Sequence, residues 1–83
     1  MNEIARVGVD LAKYLIQVHA VDATGKVVTN RALKREKFLL WCSELPACCL
    51  IAMEACSGAH HWCRQLRERG FDARMIPAQF VAP

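Results

Sequence analysis

The sequence predicts an α/β fold built on a mixed five-stranded sheet, and three observations lead to this prediction. Apolar or alternating apolar–polar segments, typical of strands, cover residues 5–11, 14–21 and 27–33. The segment KREKFLLWCSEL then changes to helical spacing. Beyond it, the apolar segments 48–54 and 71–77 flank a second helical stretch. The predicted element order is therefore β-β-β-α-β-α-β.

The first three predicted strands are joined by short connections, so we expect an antiparallel meander. The segment DATGK, residues 22–26, has the Asp, Thr and Gly typical of a hairpin turn. In the second strand, Gln17 and His19 alternate with apolar residues and should point to its less buried side.

Each predicted helix has apolar residues at helical spacing and an end signal. Pro46 should end the first helix, because proline cannot donate a backbone hydrogen bond within it. In SGAHHWCRQLRERG, we expect Ser57 to be the N-cap and Gly70 to end the helix. Strands separated by helices favour parallel pairing through right-handed crossovers. The order predicts a ribonuclease H-like mixed five-stranded sheet with flanking helices.

The composition indicates one small globular domain over residues 1–83. The chain has 83 residues, of which 54% are hydrophobic, and a formal net charge of +3. Apolar residues are plentiful enough to form a core, which disfavours a disordered chain. No apolar stretch approaches the roughly 20 residues that span a bilayer, and the N-terminus lacks a signal-peptide pattern. We expect a cytoplasmic protein with no membrane partner.

The five cysteines have no evident disulfide pattern, because their number is odd and no C-x-x-C spacing occurs. We expect reduced thiols that pack as small hydrophobic groups. An alternative is a metal site formed by Cys56, His60 and Cys63, which lie at i, i+4 and i+7 of one predicted helix.

Two acids at or near the ends of predicted strands are the candidate catalytic and metal-binding residues. Asp10 lies within or at the end of the first predicted strand, and Glu54 lies at the carboxyl end of the fourth. In a ribonuclease H-like sheet these strands are neighbours, and paired carboxylates are ligands that Mg²⁺ accepts. Two such ions can assist phosphodiester chemistry. The alternative is that both acids are solvated, with Glu54 stabilising the N-terminus of the following helix.

The segments VGVDLAK and LIAMEACSGAHHWCRQLRERGFDARMIPAQFV closely resemble the N-terminal DEDD (RuvC-like) domain of the insertion sequence one-ten family of transposases. This resemblance implies four acids in the order Asp, Glu, Asp, Asp, of which Asp10 matches the first and Glu54 the second. It also implies Mg²⁺ or Mn²⁺ as cofactor, with two ions in the complete protein. The implied activity is DNA strand cleavage and transfer in transposition or recombination, with a structured RNA as guide.

The resemblance also implies what residues 1–83 lack. The last two acids and a separate serine-bearing domain would follow Pro83, so the domain is expected to be incomplete. Ser57 is expected to cap a helix rather than to act as a nucleophile. We therefore expect residues 1–83 alone to be inactive. The alternative is a non-catalytic nucleic-acid-binding or assembly module from a truncated element.

Basic residues form two clusters along the chain that could contact phosphates. Such contacts give salt-dependent affinity for nucleic acid. The alternative is a pair of solvated helix faces, because Glu36 and Glu68 interrupt the clusters. The candidate nucleic-acid contacts are Lys13, Arg31, Lys34, Arg35, Lys37, His60, His61, Arg64 and Arg67.

Large apolar side chains predict self-association of the chain. Trp41, Trp62 and the tail residues Phe80 and Val81 are many large groups for so small a core. An exposed apolar patch of this kind tends to be buried against a partner.

Overall fold

The structure, a computed structural model, describes residues 3–77. Its elements follow the predicted order. They are β1 (Ile4–Leu11), β2 (Leu15–Asp22), β3 (Val27–Lys34), α1 (Arg35–Cys42), β4 (Leu50–Glu54), α2 (Ser57–Glu68) and β5 (Asp72–Ile76).

The five strands form one mixed sheet in the order β3-β2-β1-β4-β5. Strands β1, β2 and β3 pair antiparallel, as hairpin-type connections allow. Strands β1, β4 and β5 pair parallel, with α1 and α2 in the connections that parallel pairing requires. The predicted α/β fold class is confirmed, and the topology is compatible with a ribonuclease H-like fold.

The turn between β2 and β3 has the chemistry that the sequence predicts. One carboxylate oxygen of Asp22 accepts hydrogen bonds from the Thr24 hydroxyl at 2.6 Å and from the backbone N–H groups of Thr24 and Lys26. The Thr24 hydroxyl and these amides lower the pKa of Asp22 below its usual value, although burial opposes the shift. Gly25 has a φ of 91°, which favours glycine because it has no Cβ.

Both helices pack against the same face of the sheet and form the core there. Phe38 of α1 and Trp62 of α2 meet edge-to-face with ring centroids 5.1 Å apart, and each is buried. The strands contribute alternate residues to this core, among them Val7, Val9 and Ile51. The residues between them point to the opposite face, which no helix within residues 3–77 covers. The core is therefore one-sided in the described part of the chain.

The connection between α1 and β4 differs from the prediction. Helix α1 ends at Cys42 rather than near Pro46, and β4 begins at Leu50 rather than at residue 48. Successive turns fill the interval, and Cys48 has a φ of 63°. A residue with this left-handed backbone cannot continue an extended strand, so the apolar run of residues 48–54 forms a strand over its last five residues.

One of the two predicted signals at the ends of α2 is confirmed and the other is wrong. Gly70 has a φ of 90° and follows the helix, as a glycine after a C-terminus commonly does. Ser57, in contrast, is the first helical residue, and Cys56 occupies the N-cap position without a side-chain cap hydrogen bond. Ser57 is therefore not the N-cap.

All five cysteines are free, and they differ in exposure. Cys42, Cys49 and Cys63 are buried, as small hydrophobic groups would be, whereas Cys48 and Cys56 are exposed. Burial raises the pKa of Cys42 to about 12, the largest cause being loss of solvation. A thiol with so high a pKa has little thiolate at neutral pH and is chemically unreactive.

The structure exposes less of the apolar side chains on which the prediction of self-association rests. Trp62 lies in the core and is only 7% exposed, and Trp41 is half-buried. Phe80 and Val81 lie outside the described residues. Within residues 3–77, no helix is both long enough and apolar enough to cross a bilayer.

Candidate functional site

Asp10 and Glu54 lie at the carboxyl ends of two neighbouring parallel strands, on the same face of the sheet. Val9 of β1 is the register partner of Met53 of β4, and both are buried. Continuing this register by one residue places Asp10 beside Glu54. Neighbouring strands lie about 4.8 Å apart, so the two carboxylates can approach closely enough to share a cation. We call these two residues the acid pair.

The acid pair lies on the open face of the sheet, away from both helices. Asp10 is exposed and Glu54 is half-buried. The residues two positions before them, Gly8 and Ala52, are register partners on the same face and have the smallest side chains. A Cβ at Gly8 would meet only the His19 carbonyl oxygen, at 3.9 Å, which is an ordinary contact. Packing therefore does not require glycine at position 8. Because Gly8 has no side chain, space remains beside the two acids.

Several polar residues share this face, and the list of candidates from the sequence omits them. Gln17 of β2 is the register partner of Asp10, and its amide nitrogen donates to the Asn30 side-chain oxygen at 2.7 Å. His19 is the register partner of Gly8 on the same face. The alternation of β2 puts Gln17 and His19 on the less buried side, but only the β1–β2 register places them next to the acid pair.

An exposed ion pair lies further along the same face of the sheet. Arg74 of β5 is the register partner of Ala52 and forms a two-point ion pair with Asp72, the shorter contact being 2.9 Å. The Arg74 guanidinium holds the pKa of Asp72 below its usual value. Both groups are exposed, so the pair contributes little to stability.

The acid pair provides two hard oxygen donors, which fit Mg²⁺ but do not enclose it. Mg²⁺ commonly binds protein through one or two carboxylates and retains several waters. Among residues 3–77, no three His, Cys, Asp or Glu side chains converge as a metal-binding group. The alternative set Cys56, His60 and Cys63 is divided, because Cys63 is buried while the other two are exposed.

Two of the candidate nucleic-acid residues lie around the turn that follows β1. Lys13 lies in this turn, with its ammonium 5.2 Å from the ring centre of the exposed Tyr14. Arg35, at the start of α1, donates long hydrogen bonds of 3.4 Å to the carbonyl oxygens of Ala12 and Lys13. Arg35 therefore connects the turn after β1 to α1. This structural role is not evident from the sequence, where Arg35 is one of a cluster of basic residues.

Three more candidates line a groove between β3 and α1, which we call the β3–α1 groove. It has a volume of about 440 Å³. Its walls combine cationic, apolar and acidic side chains. The lining residues are Arg31, Ala32, Leu33, Lys34, Lys37, Leu40, Trp41 and Glu44.

A second groove, the α2–β5 groove, lies at the opposite edge of the sheet. His60, Arg64 and Arg67 line it together with Glu68 and Met75. Arg67 is partly committed to the fold, because its Nε donates to the Ala73 carbonyl oxygen at 2.9 Å. The structure thus divides most of the basic candidates between two grooves at opposite edges of the sheet.

His61 lies outside both grooves. Its imidazole contacts the Trp62 ring, with centroids 5.0 Å apart in an edge arrangement. It is exposed on the first turns of α2, on a different side of the helix from His60.

Comparison with known proteins shows that the chain is homologous to insertion-sequence transposases. It is 50% identical over 80 residues, 96% of the chain, to a protein named "Probable family 20 transposase" from Pseudomonas aeruginosa. It is 37% identical over its full length to the "Transposase for insertion sequence element IS1111A" of Coxiella burnetii. It is 29% identical over its full length to the "Transposase for insertion sequence element IS1328" of Yersinia enterocolitica.

The chain spans about a quarter or less of the length of these relatives, 23%, 22% and 25% respectively. It therefore aligns with only a segment of each of them. No protein-family model matches it, and no solved structure matches it.

Proposed function

We propose that the chain is part of the DEDD-type, RuvC-like catalytic domain of an insertion-sequence transposase, and that Asp10 and Glu54 bind its catalytic metal. The observation that carries this proposal is the placement of the two acids at the carboxyl ends of adjacent parallel strands. Homology to proteins named transposases gives that placement its context.

The role of the acid pair follows from charge. Two carboxylates on neighbouring strands repel each other in water, and a divalent cation between them removes the repulsion. When bound, Mg²⁺ supplies Lewis-acid stabilisation of oxygens in phosphodiester chemistry. Asp10 and Glu54 position that ion on the open face, and the small side chains of Gly8 and Ala52 leave room beside it.

We further propose that residues 1–83 do not cut DNA by themselves. Two acids can hold one Mg²⁺, which binds protein through few carboxylates. They do not fix a second ion at the separation of about 3.5–4 Å that two-metal sites use. The family resemblance implies two further acids beyond Pro83, and the open face of the sheet has space for an element that brings them to the acid pair.

The proposed nucleic-acid partner of the longer protein is DNA, and a guide RNA is a second partner implied by the resemblance. The two grooves support DNA as a partner because each has three basic side chains that phosphates can contact.

Self-association of the chain remains a prediction. Light scattering of the purified chain at increasing concentration tests it, and a monomer at all concentrations contradicts it.

Metal binding is tested directly with Mn²⁺, whose electron paramagnetic resonance signal falls when the ion binds protein. The expected result is one weak site per chain in the wild type, lost in Asp10→Asn and in Glu54→Gln. Glu3→Gln is the matched control, because Glu3 is an exposed acid before β1, far along the strand from Asp10. Equal Mn²⁺ binding by the wild type and both acid-pair variants overturns the metal-site proposal.

Inactivity is tested with supercoiled plasmid and 10 mM Mg²⁺ or Mn²⁺. The purified 83-residue chain should leave the plasmid intact. Metal-dependent nicking that disappears in Glu54→Gln shows instead that the acid pair alone sustains cleavage.

The second candidate function is a non-catalytic nucleic-acid-binding or assembly module. The observation that favours it is that no third metal-binding side chain joins the acid pair within residues 3–77. Mn²⁺ binding separates the two candidates, because a module of this kind binds nucleic acid in EDTA and has no specific metal site.

A further inference from the structure

The outward side of helix α1 exposes apolar side chains beside charged ones. Phe38 and Cys42 are the buried residues of α1 and complete its contact with the sheet. Lys37, Leu40, Trp41 and Glu44, at i, i+3, i+4 and i+7, form another side of the helix and its C-terminal turn, and all of them line the β3–α1 groove. Leu40 is 64% exposed there.

Trp41 connects the core to this groove. It is half-buried and packs against core residues, yet it also lines the groove. The other tryptophan, Trp62, is a core residue at 7% exposure. The groove therefore presents an aromatic side chain to solvent, held in place by packing behind it.

The charge around Trp41 favours an anionic occupant. Three cations, Arg31, Lys34 and Lys37, line the groove together with one carboxylate, Glu44. The first two come from β3, which is the edge strand of the described sheet, and the third from α1. Cations that follow a groove beside an exposed aromatic side chain are the combination that binds single-stranded nucleic acid, with phosphates on the cations and a base on the ring.

We propose that the β3–α1 groove binds single-stranded DNA, with an unpaired base stacked on Trp41 and phosphates contacting Arg31, Lys34 and Lys37. Single-stranded DNA fits better than duplex because a base stacked between its neighbours in a duplex cannot offer its face to the Trp41 ring. The choice of DNA over RNA rests on the proposed function, whereas the groove and its stacking residue do not.

The groove lies at the same end of the sheet as the acid pair. Strand β3 runs parallel to β1, because both pair antiparallel with β2. Lys34, at the end of β3, is therefore at the carboxyl end of β1, two strand spacings or about 10 Å away across the sheet. A single strand held in the groove can reach that end of the molecule.

The experiment measures binding of a fluorescein-labelled dT₁₂ oligonucleotide to the purified chain in EDTA, so that metal binding has no influence. Tryptophan fluorescence should fall on binding, because stacking quenches the indole. The quenching should persist in Trp62→Phe and disappear in Trp41→Leu, with Trp41→Leu binding about 5- to 150-fold more weakly, as loss of one stacked base predicts.

A charge variant tests the groove without touching the core. The double variant Lys34→Gln/Lys37→Gln should weaken binding and reduce the slope of log affinity against log salt by about 1.4, since each phosphate contact on a single strand contributes about 0.7. Lys26→Gln is the matched control: it removes an exposed lysine at the turn between β2 and β3, at the other end of β3. Circular dichroism establishes that each variant is folded.

The outcomes separate this inference from the metal-site proposal. Binding of dT₁₂ is measured in EDTA, so its loss would leave the metal-site proposal standing, and the control variant Glu3→Gln should bind dT₁₂ as the wild type does. Unchanged affinity in both Trp41→Leu and the double lysine variant overturns the inference. Three other results also overturn the inference. They are tighter binding of duplex DNA than of dT₁₂, a clear preference for U₁₂ over dT₁₂, and binding of an acidic peptide in place of the oligonucleotide.

Discussion

Removing one charge from the acid pair should stabilise the metal-free protein. Asp10→Asn keeps the size of the side chain and removes one of two carboxylate charges on neighbouring strands. Two unit charges about 5 Å apart interact by about 0.8 kcal/mol at the dielectric constant of water and about 3 kcal/mol at an effective constant of 20. Asp10 is exposed and Glu54 half-buried, so the lower value, about 1 kcal/mol, applies.

The assay is thermal unfolding followed by circular dichroism at neutral pH and low salt. For a chain of this size, 1 kcal/mol corresponds to about 4–8 °C in Tm. Asp10→Asn in EDTA should therefore unfold about 4–8 °C above the wild type.

Adding Mg²⁺ should reverse the order of stability. With a Kd of about 1 mM, 10 mM Mg²⁺ stabilises the folded state by about 1.4 kcal/mol through mass action. The wild-type Tm should rise by several degrees, while Asp10→Asn should not respond. Glu3→Gln should respond as the wild type does.

The reasoning is refuted if Asp10→Asn and the wild type unfold at the same temperature in EDTA and show the same response to Mg²⁺. That result means that the two carboxylates do not interact. High salt offers a further check, because screening should shrink the difference in EDTA.

Three more predictions concern the fold. Phe38→Ala removes the fully buried partner of the Trp62 ring and should lower the free energy of unfolding by about 3–5 kcal/mol in urea titrations; a loss below 1 kcal/mol contradicts the described core. Iodoacetamide at pH 8 should modify the exposed Cys56 long before Cys42. The pKa of Cys42, about 12, lowers its thiolate fraction about a thousandfold relative to a thiol of pKa 9. Mass spectrometry of the digested protein measures the order of modification, and equal rates at the two cysteines exclude burial of Cys42. Because the folded-state pKa of Asp22 lies below its usual value of 3.8, its contribution to stability is complete above pH 3.8 and is lost as pH falls through the lower folded-state pKa. Asp22→Ala should therefore reduce the dependence of Tm on pH in acid, and an unchanged dependence shows that the turn contacts are not made in solution.

The order of strands and helices is predictable from the sequence because it depends on local patterns. The alternation in β2, the turn DATGK and the helical spacing of Phe38 and Cys42 each act over a few residues. The errors are local too. Cys48 is apolar like the strand that follows it, and apolarity does not reveal its left-handed backbone with a φ of 63°. Ser57 has good capping chemistry, but the helix begins one residue earlier than a serine cap requires.

The sequence by itself determined the fold class, both acids of the acid pair and the basic candidates, because strand-end carboxylates and clustered cations are visible in the order of residues. Only the tertiary structure decided which of them lie together. The β1–β4 register places Asp10 beside Glu54, although 44 positions separate them in the chain, and the β1–β2 register adds Gln17 beside Asp10. Packing likewise buries Trp62 and leaves Trp41 at a groove. The sequence does not distinguish the two, because each tryptophan lies at helical spacing from apolar neighbours. Register and packing join residues that are distant in sequence, and local patterns carry no information about such pairs.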